Sequence, residues 1–215
     1  MNKRKILVTA LALSIIAILS VGTLAWFSDE DKVTNHFLVA DSDDDTADEI
    51  FSVDVWENGK STEGLTYEDI LPGSVLKKEV EVKNTGYYDQ YIRVIVTVSD
   101  AKAWQAVHGL TGGNVVPLSE LVSGLDTTGN VWDPTGANYD PANDTFYYVL
   151  YYTGVLTSGK DIDVFDSVVI PEGMNQEQAA AFKGGFTIDV KAQAVQTQNV
   201  GNSAYEAFKT VGMGL

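Results

Sequence analysis

The sequence contains no cysteine and only two histidines, His36 and His108. Without cysteine, the chain can form no disulfide, no thiolate metal site and no thiol nucleophile. It contains no HExxH segment, so neighbouring helical turns do not supply the ligands of a zinc protease. It also lacks GxSxG, and only these histidines are available as the base of a serine hydrolase. Catalysis has little support, and we expect an exposed or capping role for each histidine.

Positive charge is also scarce. The chain has 14 Lys and Arg against 30 Asp and Glu, for a net charge of -16. Such a surface repels phosphate backbones and anionic lipids, so we expect no nucleic-acid partner. Divalent cations and basic partners are more compatible with it. With 215 residues, the chain is long enough for one well-buried domain and a short leader.

Residues 1–25 have the layout of a secretory signal: basic MNKRK, an apolar run from Ile6 to about Val21, and a small-residue end. We predict a signal helix cleaved between Ala25 and Trp26. Its loss removes three positive charges and leaves a net charge of -19. The alternative is an uncleaved anchor, because the 20 uncharged residues from Ile6 are enough to cross a bilayer. Both interpretations place the remaining chain outside the cytoplasm, with the membrane contacted only through an uncleaved leader.

From Phe51 onward, apolar and polar residues mostly alternate, which is typical of half-buried strands. The pattern predicts strands at 51–56, 75–84, 91–98, 145–156, 162–165, 168–170 and 186–196. It predicts short helices at 101–108 (after an Asp100 N-cap), 175–183 and 204–209. The stretch 109–144, rich in Gly, Asn, Asp and Pro, is predicted to be a long loop. We therefore predict an all-β fold for residues 51–215, a jelly-roll-like antiparallel β-sandwich with a few short helices.

An acidic run beginning at Asp41 opens with the D-x-D-x-D spacing of a calcium loop, in Asp41, Asp43 and Asp45. Thr46 and Ser52 stand where an EF-hand requires Gly and Glu, which excludes that motif. A solvated loop is the favoured interpretation, and the three aspartates are weak calcium candidates. The same weighing applies to DPTGANYDPAND, residues 133–144. No other cofactor is expected.

Several aromatic residues fit either of two roles. Trp56, Trp104, Trp132 and the Tyr87-Tyr88 pair could stack on sugars, but a sandwich of this size also needs aromatic side chains in its core. We favour core packing for them.

Six segments in a fixed order make the chain recognisable. They are GTLAWFSD at the end of the leader, Asn35-x-Phe37, LPGSVLKKEVEVKNTG, YIRV, FYYVLYYTGVLTSGKDIDVFDSVVIP and FTIDVKAQAVQTQN. In this order they resemble the TasA/camelysin family of exported Gram-positive proteins, whose leaders are processed by a dedicated SipW-type signal peptidase. The resemblance covers nearly the whole chain.

The resemblance implies a secreted jelly-roll subunit of a biofilm-matrix or cell-surface fibre, assembled head to tail by donor-strand exchange. An extended segment of one subunit would satisfy the open sheet edge of the next, and head-to-tail contacts that do not close produce filaments. Residues 26–50 would be an N-terminal extended segment with an acidic linker. Its candidate donor residues are Trp26, Phe27, Val33, Asn35, Phe37 and Val39. Between them, Ser28 to Lys32 is too charged for a fully buried strand.

The partners implied are further copies of the chain, an accessory matrix or anchor protein, and the signal peptidase. Some relatives carry a metallopeptidase label, which the missing HExxH does not support, so we expect a non-catalytic protein. The alternatives are a secreted camelysin-type metallopeptidase and a module that binds the cell wall or another matrix protein.

Overall fold

The computed structural model describes residues 28–33, 52–61, 67, 70–128, 131–182 and 184–213. These residues form nine strands and four short helices. In chain order they are β1 Ser28–Val33, β2 Val53–Glu57, β3 Val75–Asn84, β4 Gln90–Ser99, α1 Ala101–Val107, α2 Leu118–Leu121, β5 Val122–Ser123, β6 Trp132–Asp140, β7 Thr145–Tyr152, β8 Asp161–Val169, α3 Gln176–Ala181, β9 Ile188–Gln196 and α4 Ala204–Thr210.

The strands form two antiparallel sheets, a five-stranded sheet in the order β1-β9-β4-β7-β6 and a four-stranded sheet in the order β2-β3-β8-β5. This confirms the predicted all-β sandwich with a few short helices. The predicted signal helix, its cleavage point at Ala25 and Trp26, and residues 34–51 lie outside the described residues. Within the described part of the chain, no helix is both long and apolar enough to span a membrane.

The core lies between the two sheets and is built by alternating side chains. Val53 and Val55 of β2 and Val80 and Val82 of β3 are buried, while the residues between them are partly exposed. The facing sheet supplies Ile92, Val94, Val96 and Val98 from β4 and Val190, Ala192 and Ala194 from β9. Period-two patterning therefore sets which face of each strand is buried.

The five-stranded sheet is covered on its outer face as well. Helix α4 packs Ala204, Ala207 and Phe208 against Tyr91 and Val195 of the sheet. Because both faces are covered, β4 has a nearly continuous apolar run, as expected for a strand buried on two sides. In β9, Asp189, Lys191 and Gln193 alternate with the residues that face the core.

Two predictions on organisation are wrong. The separate strands at 162–165 and 168–170 are one strand, β8, because Ser167 between them pairs with Lys77 of β3 and with Ser123 of β5 and so keeps the chain extended. The predicted loop 109–144 contains α2, β5 and β6. Buried Leu118, Leu121 and Trp132 hold this region on the core, and Trp132 Nε1 donates to the Asp163 carbonyl at 2.7 Å.

Helices α1, α3 and α4 lie where the sequence predicts, but their ends differ. Asp100 is not a side-chain N-cap of α1, because it has φ 58° and makes no capping bond. Asp144 takes that role: its carbonyl accepts from the Ala101 N–H at 3.0 Å and its Oδ1 from the Lys102 N–H at 3.1 Å. Helix α3 begins with a capping box between Asn175 and Gln178.

Candidate functional site

Strand β1 lies at an edge of the five-stranded sheet. It pairs antiparallel with β9 over six residues, from Ser28 opposite Val195 to Val33 opposite Val190. On its other side β9 pairs with β4 over nine residues. The strand is therefore peripheral, and removing it leaves the interior pairing of the sheet in place. An edge strand has one side open, which is compatible with the charged sequence SDEDKV.

Of the candidate donor residues, the structure places only Val33. Trp26, Phe27, Asn35, Phe37 and Val39 lie outside the described residues, as do His36 and the calcium candidates Asp41, Asp43 and Asp45.

The other edge of the same sheet is formed by β6. Pro134 lies within this strand, and the pairing with β7 shifts register between Asp133 and Gly136. Proline removes a backbone donor, and a bulge interrupts the ladder; both discourage a further strand from adding there. The two edges of the five-stranded sheet therefore differ, one bearing a short strand from the N-terminal segment and the other blocked.

The two ends of the sandwich expose different apolar side chains. The helical end, formed by α1, α3 and residues 70–75, exposes Leu71 and Val75 at 69% and 65%. The tyrosine end, the turn between β3 and β4, exposes Tyr87 and Tyr88 at 66% and 59%. The ten-residue strand β3 runs from one end to the other, a distance of about 33 Å.

An aromatic pocket opens at the helical end. The rings of Trp104, Phe182 and Phe186 meet edge to face, with centroids 4.9 Å apart for Trp104 and Phe182 and 5.1 Å apart for Trp104 and Phe186. Beside them is a cavity of about 340 Å³. Its other walls include Tyr67, Ile70, Ile170 and Met174, so most of the lining side chains are apolar.

One polar atom in this wall lacks a partner. Trp104 is fully buried, and its Nε1 finds no acceptor among the residues that the structure describes. A buried donor without an acceptor is costly, so a group that brings an oxygen to it gains free energy. The wall itself is held in place by Gln178 of α3, whose Nε2 donates to the Ala106 carbonyl of α1 at 3.0 Å.

A buried ion pair lies near the pocket. Lys78 Nζ contacts Glu57 Oε1, and both side chains are almost fully buried between the sheets. The Tyr67 hydroxyl donates to the Lys77 carbonyl. Burial, followed by the negative charge of Glu57, raises the pKa of Tyr67, so this hydroxyl stays protonated at neutral pH.

His108 occupies the C-cap position of α1, which agrees with the capping role predicted for it. Its Nδ1 lies 2.8 Å from Glu120 Oε2. Among the described residues no group of three or more His, Cys, Asp or Glu side chains is placed to hold a metal ion.

The second oxygen-rich stretch forms the end of β6 and the turn into β7. Asp140 Oδ1 accepts from the Ala142 N–H and Oδ2 from Asn143 Nδ2. These bonds, first that from Asn143, lower the pKa of the Asp140 carboxyl. Its oxygens stabilise the turn.

The aromatic residues divide between the two predicted roles. Trp104 and Trp132 are in the core, as favoured, and Trp56 is partly buried beneath Lys83, whose Nζ lies 4.7 Å from its ring. The core interpretation is wrong for Tyr87 and Tyr88, which project from a turn. Trp104 is predictable from the sequence as a core residue, but the pocket is not, because Phe182 and Phe186 follow α3 and meet Trp104 only in the folded chain.

Comparison with known proteins gives no match to a family model, to a curated protein or to a solved structure. The case for function therefore depends on the residues, the fold and the geometry of the edge strand.

Proposed function

We propose that this protein is a secreted structural subunit of an extracellular or cell-surface fibre, such as a biofilm-matrix fibre, which assembles head to tail by exchange of its N-terminal strand. One observation carries the proposal: β1 is supplied by the segment that precedes the sandwich and pairs with β9 alone, at a sheet edge. A strand added in this way is held mainly by main-chain hydrogen bonds, which the same strand of another subunit can supply equally well.

Exchange costs little because it replaces one set of contacts with an identical set. The six register pairs that β1 forms within its own chain would form equally with the β9 edge of the next subunit. Association loses translational entropy, so the monomer is favoured at low concentration and the filament at high concentration. The repeat is heterologous, since the donor segment and the β9 edge are different surfaces, and such contacts extend into filaments unless the rotation closes a ring.

The two ends of the sandwich support this polarity. Leu71 and Val75 are exposed at the helical end, and Tyr87 and Tyr88 at the tyrosine end. Head-to-tail stacking brings these two unlike apolar patches together, which suits a heterologous contact. Clusters of exposed large apolar residues are typical of interaction surfaces.

Charge sets the conditions for assembly. A mature subunit with a net charge of -19 repels its neighbours side by side at low salt. Bundling of filaments should therefore increase with salt, with calcium and with acid pH. The further partners proposed are an accessory matrix or anchor protein and the dedicated signal peptidase.

The test is deletion of residues 26–37. The mature protein should form filaments in electron micrographs at concentrations where the deletion variant stays monomeric by light scattering. The matched control deletes 41–48, which shortens the same segment but retains the strand, and it should still polymerise. Equal polymerisation by the 26–37 deletion would show that the strand is not the donor.

A further inference from the structure

We propose that the aromatic pocket at the helical end receives the side chain of Phe37, in the segment that follows β1, and so fixes the register of that strand on β9. The starting point is the pairing of β1. Each residue of β1 lies opposite one residue of β9. Val33 is opposite Val190, and Lys32 is opposite Lys191. Continued by four residues, the same register brings Phe37 opposite Phe186, which lines the pocket.

The backbone of β9 permits this continuation. Its pairing with β4 continues past the named strand, because the Ser99 N–H donates to the Thr187 carbonyl at 3.0 Å. Phe186 is the next residue. Four extended residues after Val33 span about 13 Å, the reach that this register needs.

The alternation of a strand selects Phe37 over its neighbours. Val190 is fully buried in the core, and Phe186 packs against the same core cluster, so both lie on the inner side of β9. Residues opposite one another in an antiparallel pair share a face. Phe37 therefore falls on the inner side with Phe186, whereas His36 falls opposite Thr187 on the other side.

The chemistry of the pocket suits this occupant. A fourth aromatic ring adds to the edge-to-face cluster of Trp104, Phe182 and Phe186, an arrangement that aromatic rings prefer. The side chains beside this cluster, Ile70, Ile170 and Met174, are also suited to an apolar ring.

Two kinds of contact would then have different roles within one short segment. Main-chain pairing of β1 gives affinity without sequence preference, and a side-chain pocket adds specificity. A slip of one residue would place His36 at the pocket and Phe37 on the opposite face. The inference shares the β1–β9 pairing with the proposed fibre function, so its test uses dilute monomer, where pocket occupancy is measured without assembly.

The first experiment uses the absence of cysteine. Phe37→Cys is combined with Met174→Cys, on the pocket wall, and the dilute monomer is oxidised with copper–phenanthroline in air. We expect an intramolecular disulfide, seen as a mobility shift on non-reducing gels and located by peptide mass spectrometry. The matched control, His36→Cys with Met174→Cys, should cross-link severalfold more slowly, since its Cβ lies on the other face.

The second experiment measures how accessible Phe37 is to chymotrypsin while the N-terminal segment itself is unchanged. Ala179 and Ala180 are neighbouring exposed residues of α3, and only Ala179 is part of the pocket wall. Ala179→Trp fills the pocket and should increase chymotryptic cleavage after Phe37 severalfold over the intact protein. Ala180→Trp adds the same ring outside the pocket and should leave the rate unchanged.

A third measurement distinguishes Phe37 from a free ligand. The apolar dye N-phenyl-1-naphthylamine should bind the Phe37→Ala variant more tightly than the intact protein, because removal of the ring empties the pocket.

The inference is overturned if both cysteine pairs cross-link alike and the two tryptophan variants are cleaved alike. Equal dye binding by the intact protein and Phe37→Ala would instead mark the pocket as a site for a small apolar ligand. Docking of Phe37 in a protein that forms no filaments would overturn only the fibre proposal.

Discussion

The two sheets of the sandwich differ in what covers them. The five-stranded sheet is buried on its inner face by the core and on its outer face by α4. The four-stranded sheet is buried on its inner face only, and its outer face carries charged side chains, among them Lys77, Glu79, Glu81 and Lys83 from β3. The five-stranded sheet therefore makes apolar contacts on both faces, whereas the outer face of the four-stranded sheet is solvated.

The edges of the two sheets differ as well. β9 has nine residues, and without β1 the main-chain groups along one of its sides would be unpaired, the kind of long edge that invites pairing with another chain. In the four-stranded sheet both edge strands are short, since β5 has two residues and β2 has five. Short edge strands discourage addition, so under the proposed function strand exchange would use the β9 edge.

The largest effect is expected from a cation buried against the five-stranded sheet. Arg93 is 3% exposed, lies 4.5 Å from the Phe208 ring, and donates to Gln193 Oε1 and to the Met213 carbonyl. We expect Arg93→Ala to lower the free energy of unfolding by about 3 kcal/mol, because charged hydrogen bonds to buried acceptors are lost together. Urea denaturation followed by tryptophan fluorescence measures this change.

The four-stranded sheet provides the matched control. Lys83 also lies over a ring, that of Trp56, but its side chain is partly exposed. Lys83→Ala should cost less than about 1 kcal/mol. Arg93→Lys should recover only part of the loss, since lysine keeps the charge but not the planar fork. Equal losses of unfolding free energy for Arg93→Ala and Lys83→Ala would mean that burial beneath α4 does not strengthen the contacts of Arg93.

An intermediate effect should separate the two sides of β1. Successive N–H groups of an edge strand point alternately toward the neighbouring strand and toward solvent. Of Glu30→Pro and Asp31→Pro, one therefore removes a ladder bond to β9 and the other removes a solvent-facing N–H. We expect one variant to lose about 2 kcal/mol more stability than the other. Hydrogen exchange of β9 amides is the readout, and equal protection in both would contradict pairing along this edge.

The sequence was sufficient to predict the strands that alternate regularly. Segments 75–84 and 91–98 became β3 and β4 almost residue for residue, because period-two burial is a local property. β6 was missed because Pro134 and Gly136 are typical loop residues, and a register shift at an exposed edge tolerates them. The strand survives because Trp132 fills a core site that only the tertiary fold creates.

The candidate site was predictable only in part. The N-terminal donor segment was predicted from a family resemblance. The charge of Ser28 to Lys32 indicated only that this stretch is not a fully buried strand. A single sequence does not show that this stretch pairs at an edge, because pairing depends on β9, more than 150 residues away. The pocket was not predictable for the same reason. Trp104 lies in the helix that follows β4 and Phe186 lies just before β9, and the antiparallel pairing of β4 with β9 brings the two residues together.

The smallest effect concerns the charged outer face of the four-stranded sheet. Glu81 lies directly opposite Asp163, and burial, then Asp163, Asp161 and Glu79, raise the pKa of its carboxyl above the usual 4.5. A carboxyl with a raised pKa in the folded protein adds stability below its unfolded pKa, and this is lost as the pH rises through the folded value. Glu81→Gln should therefore stabilise the protein at pH 7 by less than about 1 kcal/mol, with no gain near pH 4, since like charges opposite one another are unfavourable. Glu79→Gln is the control, because Glu79 is 3.1 Å from Lys77 and its loss should give no gain. A Glu81→Gln gain in urea midpoint that is the same at both pH values would show that shape, and not charge, limits this face.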